Sequence, residues 1–223
     1  MSKFPFDIVL FDLDGTLVDS ARDLCPAVNH ALTRIGRDPV SEGTSRTLIG
    51  GGTDMMLTRA LEATGGMIGD DEYCELSQTL LDFYWDNLAV HTVPYPGCED
   101  ALAQLREGGV SLALCTNKSE KPARELLDAL AMTAHFDAIY GGDTLGRENA
   151  KPAPDMLHAA IADCGGGRAL MVGDTTYDVR AARAASVPVL TFTGGYADVA
   201  HGDLGSDAHF AAWHGFVDAA RAL

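Results

Sequence analysis

Apolar residues along the chain fall into two patterns. Short unbroken runs occur at residues 7–11 (DIVLF), 110–115 (VSLALC), 138–140 (AIY), 169–172 (ALMV) and 187–192 (VPVLTF). Runs of this length, bounded by turn-forming or polar residues, predict strands buried on both faces. Between most of them, apolar residues recur at helical intervals. CEDALAQLREGG (98–109) carries Ala101, Leu102 and Leu105 and stops at Gly108 and Gly109. SEKPARELLDAL (119–130) opens on Ser119, a residue suited to an N-cap, and sets Leu126, Leu127 and Leu130 on one face. APDMLHAAIADCGGG (153–167) ends in glycines, and TYDVRAARAAS (176–186) is short and alanine-rich. Strands alternating with helices predict an α/β fold: a Rossmann-like, doubly wound parallel sheet with helices on both faces, three layers in all.

One connection breaks the alternation. The stretch from the first run to the second is far longer than a crossover needs, and its pattern is helical. SARDLCPAVNHALTRIG (20–36) spaces Leu24, Val28, Leu32 and Ile35 at helical intervals, with Pro26 predicting a kink or a late start. TDMMLTRALEATGG (53–66) and DDEYCELSQTLLDFYWDNL (70–88) follow. The expected organisation is a core of residues 1–17 and 92–223, interrupted by a helical domain at 18–91. The crossings near Val18 and Thr92 would form a hinge. There is no internal repeat and no low-complexity tract.

Composition narrows the partners. The 223 residues are 47% hydrophobic, so a core can form, and the net charge is −16. Such a surface repels polyanions, which argues against nucleic acid. No apolar run reaches the roughly 20 residues of a membrane span, and MSKFPFDIVLF lacks the apolar segment of a signal peptide. Five scattered cysteines without a CxxC spacing read as reduced thiols of a cytoplasmic protein. The seven histidines show no paired metal spacing. A monomer or a homodimer is expected.

In a parallel sheet the ligand crevice lies beyond the carboxyl ends of the strands. Past the first run come Asp12 and Asp14; past the second, Thr116, Asn117 and Lys118; past the third, Lys151 in KPAPD; past the fourth, Asp174 and Asp178 in GDTTYD. Several acids in one small volume demand a counter-charge. Oxygen donors with few histidines suit a hard ion, Mg²⁺. Lysine, hydroxyl and amide donors beside them are phosphate-binding groups. A carboxylate can attack phosphorus, and a second acid two residues on can move the protons. The expected partner is a small phosphorylated metabolite.

DLDGTLVDS, CTNK, KPAPD and GDTTYD resemble, in order and spacing, the four motifs of the haloacid dehalogenase superfamily. Within it, LIGGGTDMMLTRAL, VPYPGCEDAL, LCTNKSEKP and YGGDTLGRENAKPAPDML are similar to segments of the phosphoglycolate phosphatases. The resemblance implies Asp12 as nucleophile and Mg²⁺ ligand. It implies Asp14 as general acid/base, with its backbone carbonyl on the metal. Thr116 and the Asn117 backbone would bind the phosphoryl group, Lys151 would neutralise nucleophile and phosphate, Asp174 would hold the metal, and Asp178 would support both. Thr175 stands where serine is frequent in the family and keeps the hydroxyl. The insert would be an α-helical cap that excludes water and selects the leaving group.

Inside the insert, Arg46 is the cation nominated for a substrate carboxylate, against its reading as a solvated arginine. Gly50 to Gly52 break a helix and have the option of facing substrate. Met55 and Met56 read as packing, and residues 70–72 as a solvated helix start. Asp19 is assigned to the hinge. The leading expectation is hydrolysis of 2-phosphoglycolate. A sugar-phosphate phosphatase, for example one acting on N-acetylmuramic acid 6-phosphate, and a β-phosphoglucomutase share the same motifs. Asp14 argues against a dehalogenase, and the absence of lysine from residues 18–91 argues against a phosphonate hydrolase. A phospho-accepting receiver module would lack the insert.

Overall fold

A computed structural model describes residues 4–223. The chain opens with β1 (Ile8–Phe11) and the two-residue strand β2 (Val18–Asp19), then enters four helices: α1 (Ala21–Arg34), α2 (Glu42–Leu48), α3 (Thr53–Ala63) and α4 (Asp70–Asp86). It returns through β3 (Val93–Pro94) and alternates thereafter: α5 (Cys98–Glu107), β4 (Ser111–Cys115), α6 (Glu120–Ala129), β5 (Ala138–Tyr140), α7 (Asp155–Asp163), β6 (Ala169–Gly173), α8 (Thr176–Ala184) and β7 (Val189–Phe192). β8 (Ala208–Phe210) and α9 (Phe216–Arg221) close the fold.

The main sheet is six-stranded and parallel, in the order β5-β4-β1-β6-β7-β8. β1 lies between β4 and β6, with Phe11 opposite Leu114 on one side and Val172 on the other. The alternation along β1 divides its side chains between two cores. Val9 and Phe11 pack with Leu102, Leu126 and Phe216, on the face covered by α5, α6 and α9. Ile8 and Leu10 pack with Leu157, Val179 and Ala182, on the face covered by α7 and α8. This is the expected three-layer core, with its helical insert.

A further apolar cluster lies within the insert, where α1 to α4 bring together Val28, Leu32, Leu57, Leu61 and Leu80. The two chain crossings are fastened to each other. β2 and β3 pair antiparallel, Val18 opposite Pro94 and Asp19 opposite Val93. On α1 the buried Asp23 carboxylate accepts the N–H of His91 at 3.0 Å and of Thr92 at 2.8 Å, plus the Thr92 hydroxyl at 2.7 Å. Three backbone or hydroxyl donors on one carboxylate offset its burial.

Some elements depart from the sequence reading. β8, with its exposed His209, and the β2–β3 pair are too short to show a hydrophobic period. α1 runs through Pro26 instead of starting late. The proline sits within the first two turns, where few intrahelical bonds are at stake, and Leu24, Ala27, Val28, Ala31 and Leu32 anchor the buried face around it. Ser119 occupies the N-cap position of α6, but its hydroxyl makes no capping bond. Met56 is buried in the insert, whereas Met55 is exposed.

Candidate active site

The floor of the crevice is built from strand ends. Asp12 follows β1 directly, and its backbone N–H donates to the Val172 carbonyl of β6 at 2.9 Å. Asp174 follows β6, and Asp178 lies in the first turn of α8. Carboxylate oxygens of these three buried aspartates lie within 4.8 Å of one another. Each is held by its neighbours. Asp174 accepts the Thr16 hydroxyl at 2.8 Å and the Tyr196 N–H at 2.6 Å. Asp178 Oδ2 accepts the Thr175 hydroxyl at 2.8 Å and the Thr175 N–H at 3.0 Å. Its Oδ1 faces Lys151 Nζ at 2.5 Å, and the same ammonium lies 2.9 Å from Asp12. Asp178 is thus at once the helix-capping acid and a partner of the lysine.

Burial drives the electrostatics. It pushes the Asp12 carboxyl up to about 6, against the pull of Lys151 and with a push from Asp178. Burial, then Asp178 and Asp12, hold Asp174 well above the usual carboxylate range. Burial alone would lower Lys151, but Asp12 and Asp178 outweigh it and keep the ammonium charged. Lys151 pairs with two of the three carboxylates, Asp12 and Asp178, so the cluster is short of positive charge. Hard oxygen donors in this state fit a divalent cation.

Asp14 turns away from this cluster. Its carboxylate oxygens receive Lys118 Nζ at 3.1 and 3.3 Å. The acids that converge on the floor are therefore Asp12, Asp174 and Asp178, while Asp14 contributes its carboxylate on the side of the insert. Lys118 also donates to the Tyr84 hydroxyl of α4 at 2.8 Å. Burial pushes that phenol up to about 12, so it stays a neutral acceptor. Thr116, at the end of β4, is buried and lines the crevice with Asn117, whose side-chain amide donates to the Lys151 carbonyl at 2.8 Å.

The opposite wall comes from the insert: Leu24, Ile49, Met56 and the turn Gly50 to Gly52 between α2 and α3. All three glycines have positive φ, +114°, +80° and +91°. A Cβ on Gly52 would approach the Asn117 carbonyl to 3.1 Å, so a bare backbone is what lets the two walls meet. Arg59 braces the turn by donating to the Leu48 and Gly50 carbonyls at 3.1 Å each, and to the Tyr177 hydroxyl at 3.3 Å.

The family model for haloacid dehalogenase-like hydrolases matches residues 9–192, which takes in every one of these floor residues. The chain belongs to that hydrolase family. It is 41% identical over 193 residues to the phosphoglycolate phosphatase of Mesorhizobium japonicum, covering 86% of this chain and 84% of the relative. With the phosphoglycolate phosphatase of Caulobacter vibrioides it shares 35% over 216 residues, 96% of this chain and 89% of the relative. The crystal structure of a predicted phosphoglycolate phosphatase from Haemophilus somnus superimposes with a TM-score of 0.89 at 29% identity, covering 98% of each chain.

The hydrolase places one nominated residue outside its crevice. Arg46 does not line it; the guanidinium pairs with Asp19 at 2.8 Å and Glu42 at 3.4 Å and lies over the Tyr196 ring. Hydrogen bonding and charge from Arg46, helped by Tyr196, outweigh burial and keep the Asp19 carboxyl below the usual range. Asp19 therefore holds the arginine beside β2. Lys118, which the sequence sets past the second strand in CTNK without a role, is the residue that the structure ties to both Asp14 and Tyr84. Tyr196, in TGGY past the fifth strand, carries no charge or metal-ligating group that would mark it in the sequence. Its N–H serves Asp174, while its hydroxyl donates to Asp19 at 2.7 Å and accepts the Ala21 N–H at 2.9 Å. Among the described residues no helix is long and apolar enough to cross a membrane.

Proposed function

We propose that this hydrolase is a Mg²⁺-dependent phosphatase of small phosphomonoesters, converting 2-phosphoglycolate to glycolate and phosphate. One observation carries the reading: a strand-end carboxylate, Asp12, faces a buried lysine and a buried acid cluster, with a second acid, Asp14, two residues on. The likeness to two phosphoglycolate phosphatases, which the chain matches over most of their lengths, supports this choice of substrate.

The chemistry has two halves. An Asp12 oxygen attacks phosphorus while the P–O bond to the leaving group breaks, and Asp14 gives its proton to the departing alkoxide. Asp14 then takes a proton from water, the water oxygen attacks phosphorus, and the acyl-phosphate bond breaks to return Asp12 and release phosphate. Lys151 neutralises the attacking carboxylate and a phosphoryl oxygen, and Asp178 holds that lysine in place. The Thr116 hydroxyl and the Asn117 N–H donate to the equatorial oxygens. Asp12, Asp174 and the Asp14 carbonyl would hold Mg²⁺. The ion, when bound, supplies charge to the phosphoryl oxygens and relieves the repulsion among the acids. Residues 18–91 act as the cap, excluding water from the acyl phosphate.

The test is phosphate release from a panel of 2-phosphoglycolate, sugar phosphates, nucleoside monophosphates and p-nitrophenyl phosphate, with Mg²⁺ and with EDTA. The expected result is at least a tenfold preference in kcat/KM for 2-phosphoglycolate, about 1.4 kcal/mol, lost in EDTA and restored by Mg²⁺. A sugar-phosphate winner keeps the phosphatase and discards this substrate. Full activity in chelator removes the metal, and no release from any ester removes the phosphatase.

A further inference from the structure

We propose that Lys118 is the receptor for the carboxylate of the leaving group, and so the residue that selects 2-phosphoglycolate over neutral phosphomonoesters. The inference rests on the phosphatase reading and deepens it. An anionic leaving group entering a crevice of low water content must meet a positive charge there. Among the described residues lining the crevice, the cations are Lys118 and Lys151. Lys151 is committed to the phosphoryl end, between the carboxylates of Asp12 and Asp178. Two arginines of the insert, Arg46 and Arg59, are already engaged. Arg46 is tied to Asp19 outside the crevice, and Arg59 to carbonyls of the glycine turn and to Tyr177. Lys118 is different. Among the described residues its buried ammonium is countered by a single carboxylate, Asp14, and it also donates to the neutral Tyr84 hydroxyl.

Bond connectivity adds an independent constraint. In 2-phosphoglycolate the carboxylate carbon is two bonds from the ester oxygen. The group that protonates that oxygen and the group that grips the carboxylate must therefore be neighbours. Asp14 and Lys118 are in direct contact, at 3.1 Å. The ammonium can hold one carboxylate oxygen of the substrate while Asp14 addresses the ester oxygen beside it. Tyr84 brings α4 to the same ammonium, so one hydrogen bond joins the insert to the carboxylate receptor.

The experiment compares two phosphomonoesters that differ in the leaving group: 2-phosphoglycolate, which carries a carboxylate, and 2-hydroxyethyl phosphate, which carries an uncharged hydroxymethyl group in its place. The readout is the ratio of their kcat/KM values in wild-type enzyme, Lys118→Met and Lys118→Arg. We expect the wild-type ratio of about 100 or more to fall to within about threefold of one in the Met variant, and to stay above about ten in the Arg variant, which keeps the charge. Tyr84→Phe, which keeps the ring and removes one partner of the ammonium, provides the comparison if Lys118→Met does not fold; its ratio falls by threefold or more. If Lys118 only positions Asp14, both esters slow together, the ratio survives in Lys118→Met, and the proposal is overturned. A wild-type ratio near one, with phosphate still released, sinks the choice of substrate before any variant is made.

Discussion

The two walls of the crevice are built on opposite principles. On the sheet side each functional atom is fixed by buried charge: Lys151 between Asp12 and Asp178, Asp178 capped by the Thr175 N–H, Asp174 gripped by Thr16 and Tyr196. On the insert side Leu24, Ile49, Met56 and three glycines in the left-handed region line the wall, and none carries a charge. The sheet side specifies where atoms must be for a bond to break. The insert side specifies what shape fits beside them. Charge on the first wall is expensive to bury and therefore tightly paired; shape on the second is cheap to alter.

The sharpest way to break the comparison is Asp12→Asn. Turnover should fall by at least about 10³-fold, measured as phosphate release. Stability should move the other way. The Asp12 carboxyl is raised from 3.8 to about 6 in the folded state, chiefly by burial. A folded-state value above the unfolded one means the ionised form opposes folding. In metal-free protein this penalty is absent below about pH 4, grows as pH rises to about 6, and is constant above. Thermal melts in chelator should therefore show Asp12→Asn no less stable than wild type at pH 7, with the difference shrinking toward pH 4. A variant clearly less stable at pH 7 would refute this account of the floor.

Gly51→Ala probes the other wall. At φ +80° an alanine is strained, and its Cβ would lie 2.9 Å from the Tyr177 hydroxyl and 3.2 Å from Met55. A stability loss of about 1–2 kcal/mol and a roughly tenfold drop in kcat/KM are expected. Gly66→Ala is the control, with φ +95° but open space around it. It should lose similar stability and keep its kinetics. Equal kinetic effects in both variants would mean that strain, not the shape of the wall, was being measured.

The smallest expected effect is Arg46→Ala. Its pair with Asp19 is about a third exposed on the arginine side, so under about 1 kcal/mol of stability is at stake. Because the guanidinium is outside the crevice, the ratio of kcat/KM between charged and neutral esters should stay within about twofold of wild type. A collapse of that ratio would return Arg46 to the site.

What could be seen in the sequence follows the same division. The runs behind β1, β4, β5, β6 and β7 were legible because buried parallel strands are continuously apolar, and the residues just past them fall where a parallel sheet puts a crevice. β8 stayed hidden: three residues with an exposed histidine have no period to detect. The side-chain direction of Asp14 was equally invisible. Adjacency to Asp12 suggested a shared acid cluster, but Lys118 draws the carboxylate toward α4, a contact 104 residues apart in the chain. The pairing of Arg46 was hidden for a related reason, since the carboxylate that occupies it, Asp19, lies 27 residues earlier in the chain. Long-range pairing of charges is what local patterns do not encode.

The apolar cluster of α1 to α4, where Leu57, Leu61 and Leu80 are buried, is separate from the two clusters that sandwich the sheet. Substitutions inside one cluster share a jigsaw and interact; substitutions in different clusters add. Natural variation can therefore redraw the interior of the insert, and with it the wall at Ile49 and Met56, without disturbing the register of β1 against β6. A lineage can reshape that wall by altering one small helical core while Asp12, Lys151 and Asp178 keep their placement.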